Sequence, residues 1–118
     1  MTYREFVVPD DVEILETLGV TPEQIDDDGP GTQRLTFEND GHRLVLTYDV
    51  LARSVDLHLT QNDATMLDIR REGAVRLVPQ WVNAVGSVRI DFDTDELTGS
   101  LTLTVHPTIS IHDSMLLT

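Results

Sequence analysis

The stretch TFENDGHRLVLTYDVLARSVDLHL, residues 36–59, alternates apolar and polar side chains around a strong turn signal. Asp40-Gly41 favours a type I′ turn, because both central positions of that turn need a positive φ. A two-residue loop places Phe37 opposite Leu44 on one face and Glu38 opposite Arg43 on the other. Both faces agree with the same register, so the sequence predicts an antiparallel hairpin here.

The apolar face continues into a second hairpin in the same stretch. A four-residue loop at 51–54 places Tyr48 opposite Leu57 and Leu46 opposite Leu59. Alternation with period two is the mark of a strand with one buried face. We therefore expect three consecutive antiparallel strands, of which the third begins after residue 54.

Further strands are predicted from the same alternation along the rest of the chain. A pair around EGA, residues 72–74, joins two apolar runs, and a pair around DTDELTG, residues 93–99, joins two more. A last strand follows Pro107, and because proline cannot donate to a ladder, that strand is expected at an edge or a bend. Trp81 is expected to fill the core from a connecting segment. The apolar positions of the paired runs are Leu67 and Ile69 with Val75 and Leu77, then Val88, Ile90 and Phe92 with Leu101, Leu103 and Val105, and finally Ile109 and Ile111.

Helical signals are confined to the first 32 residues. Asp10 fits an N-cap and Gly19 lies just past the apolar stripe of a first helix. Thr21 and Pro22 suggest the start of a second, shorter one. The predicted fold class is α+β: a mostly antiparallel meander sheet of about seven or eight strands, with one or two short N-terminal helices packed on one face. We expect a single domain, 1–118, made of a helical part, 1–32, and an antiparallel sheet, 33–118.

Charge is the most unusual feature of the composition. There are 21 acidic residues against 8 basic ones, a formal net charge of −13, and all the bases are arginine. Such a chain repels nucleic acid and anionic lipid, which both need cationic contacts, and attracts basic partners. No apolar run approaches the roughly 20 residues of a membrane span. The N-terminus also lacks a signal-peptide pattern. We expect a cytoplasmic protein without nucleic-acid or membrane partners.

Candidate contact residues lie in acidic segments predicted to be exposed turns: Asp26, Asp27, Asp28, Asp93, Asp95 and Glu96. An alternative polar cluster comes from the second hairpin, whose register places Asp49 opposite Asp56 with His58 alongside. Residues 91–95 alternate aspartates like the opening of a calcium loop, but Glu96 and Thr102 stand where that loop needs glycine and glutamate. We expect no metal site and no cofactor. No common nucleophile, phosphate-binding or zinc-protease motif is present.

These features favour a non-catalytic acidic binding protein that recognises a basic macromolecular partner. The general character, small, acidic and sheet-rich with a leading helix, resembles that of many bacterial inhibitor or immunity proteins, and no motif carries this likeness. One alternative is a small-molecule- or metal-binding protein or small enzyme with a pocket between helix and sheet, so enzymatic activity stays open. Another is a structural subunit, able to dimerise through its edge strand near Ile109, whose acidity reflects only a halophilic or acidic proteome.

Overall fold

The hairpin at Asp40-Gly41 is confirmed in the computed structural model, which describes residues 5–25 and 31–117. Asp40 and Gly41 have φ of 52° and 77°, as the predicted turn requires. Phe37 lies opposite Leu44, and Glu38 lies opposite Arg43. The apolar face of this hairpin is fully buried at Leu44.

The described ranges contain one helix and nine strands in two antiparallel sheets. The first sheet has the order β1-β2-β3-β4-β5 and the second has the order β6-β7-β8-β9. The prediction of a mostly antiparallel fold with an N-terminal helix is confirmed. The predicted single meander of seven or eight strands is instead two sheets with nine strands, and the described ranges contain one helix. The bounds are α1 (Asp11–Leu18), β1 (Glu23–Gln24), β2 (Thr32–Asn39), β3 (His42–Asp49), β4 (Ser54–Gln61), β5 (Ala64–Glu72), β6 (Ala74–Val82), β7 (Val85–Asp93), β8 (Leu97–His106) and β9 (Ser110–Leu117).

The two sheets meet in the chain at Gly73, where a hairpin between β5 and β6 was predicted. That prediction is wrong: β5 pairs with β4 and β6 pairs with β7. Gly73 has a φ of 90°, and its N–H donates to the carbonyl of Arg53 at 3.0 Å. A residue with a side chain rarely adopts this backbone conformation. The glycine therefore lets the chain leave one sheet and begin the next within a single residue.

The register of β3 and β4 differs from the prediction by two residues. Tyr48 lies opposite Val55, and Asp49 lies opposite Ser54. The Asp49 carboxylate accepts hydrogen bonds from the N–H groups of Leu51 and Ala52, at 2.9 and 3.0 Å. This side chain ends the strand and begins the turn earlier than the alternation suggests. Because the shift is even, the same face stays buried.

Helix α1 begins and ends as predicted. The Asp10 carboxylate accepts from the N–H of Glu13, and Gly19 is the left-handed C-cap. The predicted second helix is wrong, because Glu23–Gln24 forms a short strand on β2. Four or five residues before an acidic Gly-Pro segment are too few to nucleate a helix. Before α1, Val7 forms a parallel bridge with Arg76 and so covers part of the edge of β6.

One cluster of buried residues joins both sheets and the helix. Strand alternation predicted most of it, including Leu35, Phe37, Tyr48 and Phe92. The pairing of β7 with β8 and the edge position of β9 are confirmed. The whole buried cluster is Phe6, Ile14, Leu35, Phe37, Leu44, Leu46, Tyr48, Val55, Leu57, Ala74, Leu77, Val88, Ile90, Phe92, Leu101, Leu103 and Val105.

An ion pair joins the edge strands of the two sheets. Arg71 on β5 donates to both carboxylate oxygens of Asp113 on β9, at 2.7 and 2.9 Å. The Arg71 guanidinium also lies 5.6 Å from the centre of the Phe92 ring. Hydrogen bonding by Arg71 holds the pKa of Asp113 below its ordinary value, although partial burial acts in the opposite direction.

In the described part of the chain, no helix has the length and apolar character needed to cross a lipid bilayer.

Candidate binding surfaces

The predicted acidic turn at residues 93–96 connects β7 to β8. Asp95 and Glu96 are exposed, and Asp93 is half-buried. The Thr94 hydroxyl accepts from the N–H of Leu97 at 2.9 Å and from the N–H of Glu96 at 3.3 Å. A threonine that caps its own turn fixes the backbone, so the carboxylates project from a well-defined loop.

The acidic turn is one of three connections that meet at one end of the molecule. The carbonyl of Gly73 accepts from the N–H of Asp93 at 3.0 Å, and the carbonyl of Arg53 accepts from Gly73 and Ala74. The chain crossover therefore holds the turn between β3 and β4 beside the turn between β7 and β8. We call the exposed or half-exposed carboxylates here, Glu72, Asp93, Asp95 and Glu96, the acidic end. The predicted contact residues Asp26, Asp27 and Asp28 lie outside the described residues.

The alternative polar cluster is divided between two places. Asp49 and Asp56 line one depression together with Arg70, and Asp56 accepts from Arg70 at 3.1 Å. His58 lies instead 3.7 Å from Asp68, across the strand pair β4–β5. Since Asp49 caps a turn and Asp56 pairs with an arginine, both carboxylates have structural partners. Among the described residues, no three histidine, aspartate or glutamate side chains are grouped so that they could hold a metal ion.

Three ion pairs cross between strands on the outward face of the first sheet. Besides Asp56–Arg70, cross-strand pairs join Arg43 to Glu38 at 3.5 Å and Arg34 to Glu23 at 3.9 Å. Three of the eight arginines thus form ion pairs on this face. Each of these three carboxylates therefore has an arginine beside it, which offsets part of the negative charge of this face.

A groove separates the end of α1 from β6, and its main feature was missed from the sequence. It is lined by residues 16–19 and by Pro79, Gln80 and Trp81. Trp81 was expected in the core, yet 48% of it is exposed. Pro79 made this segment look like a connection, whereas it belongs to an edge strand that tolerates proline. The Asn83-Ala84 turn, with φ of 52° and 64°, then returns the chain into β7.

A buried tyrosine ties the first sheet to the helix. The Tyr48 hydroxyl donates to the side-chain oxygen of Gln33 at 3.2 Å, and the Gln33 amide donates to Asp11 at 3.1 Å. Burial raises the pKa of Tyr48 above its ordinary value, and the Asp11 carboxylate adds to the effect. This phenol is a neutral structural donor at physiological pH.

Comparison with known proteins finds a similar fold in a solved structure. No protein-family model and no curated protein matches the sequence. A chain in the structure of a contact-dependent growth inhibition toxin–immunity protein complex from Klebsiella pneumoniae 342 superposes with a TM-score of 0.78 and 17% sequence identity. The match covers 92% of this chain and 96% of that chain. At this identity the likeness establishes the fold alone.

Proposed function

We propose that this chain is a non-catalytic, immunity-type protein of the cytoplasm that binds and neutralises a basic protein partner. The supporting observation is the fold, which follows that of a chain in a toxin–immunity complex over nearly its whole length. The charge favours the immunity role. A net charge of −13 repels polyanions such as nucleic acid and complements a basic protein surface.

The acidic end is the surface that we propose for the first electrostatic encounter. Its carboxylates stand on connections that backbone hydrogen bonds hold together around Gly73. A fixed cluster of charges loses little conformational freedom on binding, so more of its attraction appears as affinity. Electrostatic complementarity of this kind acts mainly on the association rate and makes that rate depend on salt.

The test begins with the tagged protein as bait in a lysate of its source cells, followed by purification of each captured protein. We expect one basic protein that forms a stable complex of defined stoichiometry in size-exclusion chromatography with light scattering. When produced alone in cells, that protein should slow growth, and co-production of this chain should restore growth. If no captured protein meets both criteria, the proposed function is wrong.

A charge-matched pair of triple variants then locates the encounter surface. The variant Asp93→Asn/Asp95→Asn/Glu96→Gln removes three negative charges from the acidic end. The control Asp40→Asn/Glu38→Gln/Asp68→Asn removes three negative charges from the first sheet instead, and an asparagine before Gly41 still suits the turn. We expect association with the purified partner to slow about tenfold in the first variant and much less in the second. Equal slowing would show that only the total charge matters.

A further inference from the structure

The groove between the end of α1 and β6 has the shape and size to accept a side chain. It is open to solvent, has a volume of about 530 Å³, and is lined by residues 16–19 on one side and residues 79–81 on the other. The two sides are far apart in the sequence and meet because α1 packs on β6.

Trp81 forms an ordered aromatic wall of this groove. The indole stacks on the His106 ring, with 5.0 Å between ring centres and 25° between planes. It also lies against the backbone of Gly86, its partner across the ladder, where an added Cβ would come within 2.7 Å of the ring. His106 and Gly86 therefore hold the ring in place, and nearly half of its surface remains exposed. An exposed tryptophan held rigid in this way is typical of binding hot spots.

The opposite wall is electronegative. Helix α1 ends at Leu18, and the N–H of Gly19 donates to the carbonyl of Leu15 at 2.8 Å. The carbonyls of residues 16–18 then have no N–H donor within the helix. The helix dipole places partial negative charge at this terminus, and the last turn carries no basic residue to offset it. The exposed carboxylate of Glu16 adds a full negative charge to the same wall.

We propose that this groove binds an arginine side chain of the protein partner; the inference rests on the proposed function and names one of its contacts. A guanidinium can stack on the indole while donating to Glu16 and to the free helix carbonyls. A lysine ammonium lacks the planar face that suits the stacked contact.

The contact belongs to a protein interface, and a free ligand should bind there only weakly. At a partly exposed ring a cation–π contact raises affinity by only about five- to thirtyfold. A lone arginine would therefore bind in the millimolar range or more weakly. The same contact, placed within a larger interface, would act as an anchor.

The chain offers a direct reporter, because Trp81 is its one tryptophan. We would titrate the protein with acetyl-Gly-Arg-Gly-amide while recording indole fluorescence, and repeat the titration with the neutral citrulline peptide. We expect a saturable fluorescence change with the arginine peptide and none with the citrulline peptide. Glu16→Gln should weaken the affinity for the arginine peptide several-fold. Glu13→Gln, an exposed carboxylate on the same helix that does not line the groove, is the matched control. An equal response to citrulline, or equal effects of the two glutamine variants, would overturn the assignment.

Binding of the purified partner separates this inference from the proposed function. Trp81→Leu and Glu16→Gln should each raise the Kd at least about fivefold in calorimetry, with far-UV circular dichroism unchanged. If the partner binds both variants as tightly as the wild type, the groove assignment fails while the immunity role stands. If no partner is found but the arginine peptide binds, the immunity role fails while the groove keeps its cation site.

Discussion

The ion pair between Arg71 and Asp113 should be the surface contact whose loss most weakens the attachment of one sheet to the other. It joins β5 to β9 through two hydrogen bonds of 2.7 and 2.9 Å, and the two side chains are 25% and 41% exposed. Bidentate geometry strengthens such a pair, whereas solvent around Asp113 screens it. We therefore expect a coupling free energy of about 1 kcal/mol, the upper end of the range for exposed pairs.

A double-mutant cycle of Arg71→Gln and Asp113→Asn, followed by urea unfolding at pH 7 and low salt, measures this coupling. Arg71→Gln should lower the free energy of unfolding by about 0.5 kcal/mol more than Asp113→Asn does, because the guanidinium also covers the Phe92 ring. The pair Arg70–Asp56 is the control, since it lies within one sheet, with one 3.1 Å hydrogen bond and side chains 58% and 44% exposed. Its coupling should be about 0.3 kcal/mol. Equal couplings for the two pairs would refute a special role for the first.

The same pair predicts a pH dependence with a definite sign. The pKa of Asp113 is lowered in the folded protein by hydrogen bonding from Arg71. Its contribution to the free energy of unfolding is therefore complete above the unfolded carboxyl value, about 4. It is lost as the pH falls through the lower, folded pKa. The stability gap between the wild type and Asp113→Asn should narrow as the pH falls below about 4, and a gap that does not narrow in acid would contradict the account.

Two further predictions concern the crossover and the buried phenol. Gly73→Ala should lower the free energy of unfolding by about 1–3 kcal/mol, because φ is 90° there and the new methyl group would meet Cγ2 of Thr94. Thr94→Ser removes that methyl and keeps the capping hydroxyl, so the double variant should recover part of the loss in thermal melts; no recovery would exclude the clash. Tyr48 should contribute stability below the unfolded phenol value, about 10, and lose it as the pH rises toward the raised folded pKa. Wild type should consequently lose more stability than Tyr48→Phe between pH 9 and 11 in urea unfolding, and parallel losses would oppose this assignment.

Local chemistry explains which parts of the fold could be predicted. Asp40-Gly41 specifies a turn through its own backbone preferences, and Asp10 caps its helix through a contact three residues away. Alternation identified the buried side of nearly every strand, because that side depends only on parity. These signals need no knowledge of distant parts of the chain.

The errors arose where distant contacts decide the structure. Gly73 is compatible with a hairpin or a crossover, and the choice depends on which sheet can cover the apolar face of the other. Trp81 has the parity of a core residue, but β6 extends beyond the core, so the indole emerges next to α1. The acidic turn at 93–96 was identifiable as a loop, whereas its contact with the crossover depends on hydrogen bonds between segments distant in the sequence.

The order of the strands has a consequence during synthesis. The first sheet comes entirely from the chain before Gly73 and the second entirely from the chain after it. At about 5–20 residues per second, several seconds pass before the ribosome has delivered the second sheet. Throughout that interval Leu44, Leu46 and Leu57 have no covering layer, and α1 lacks the strand on which it docks. The nascent half-protein should therefore be a good client for a chaperone that holds exposed apolar surface.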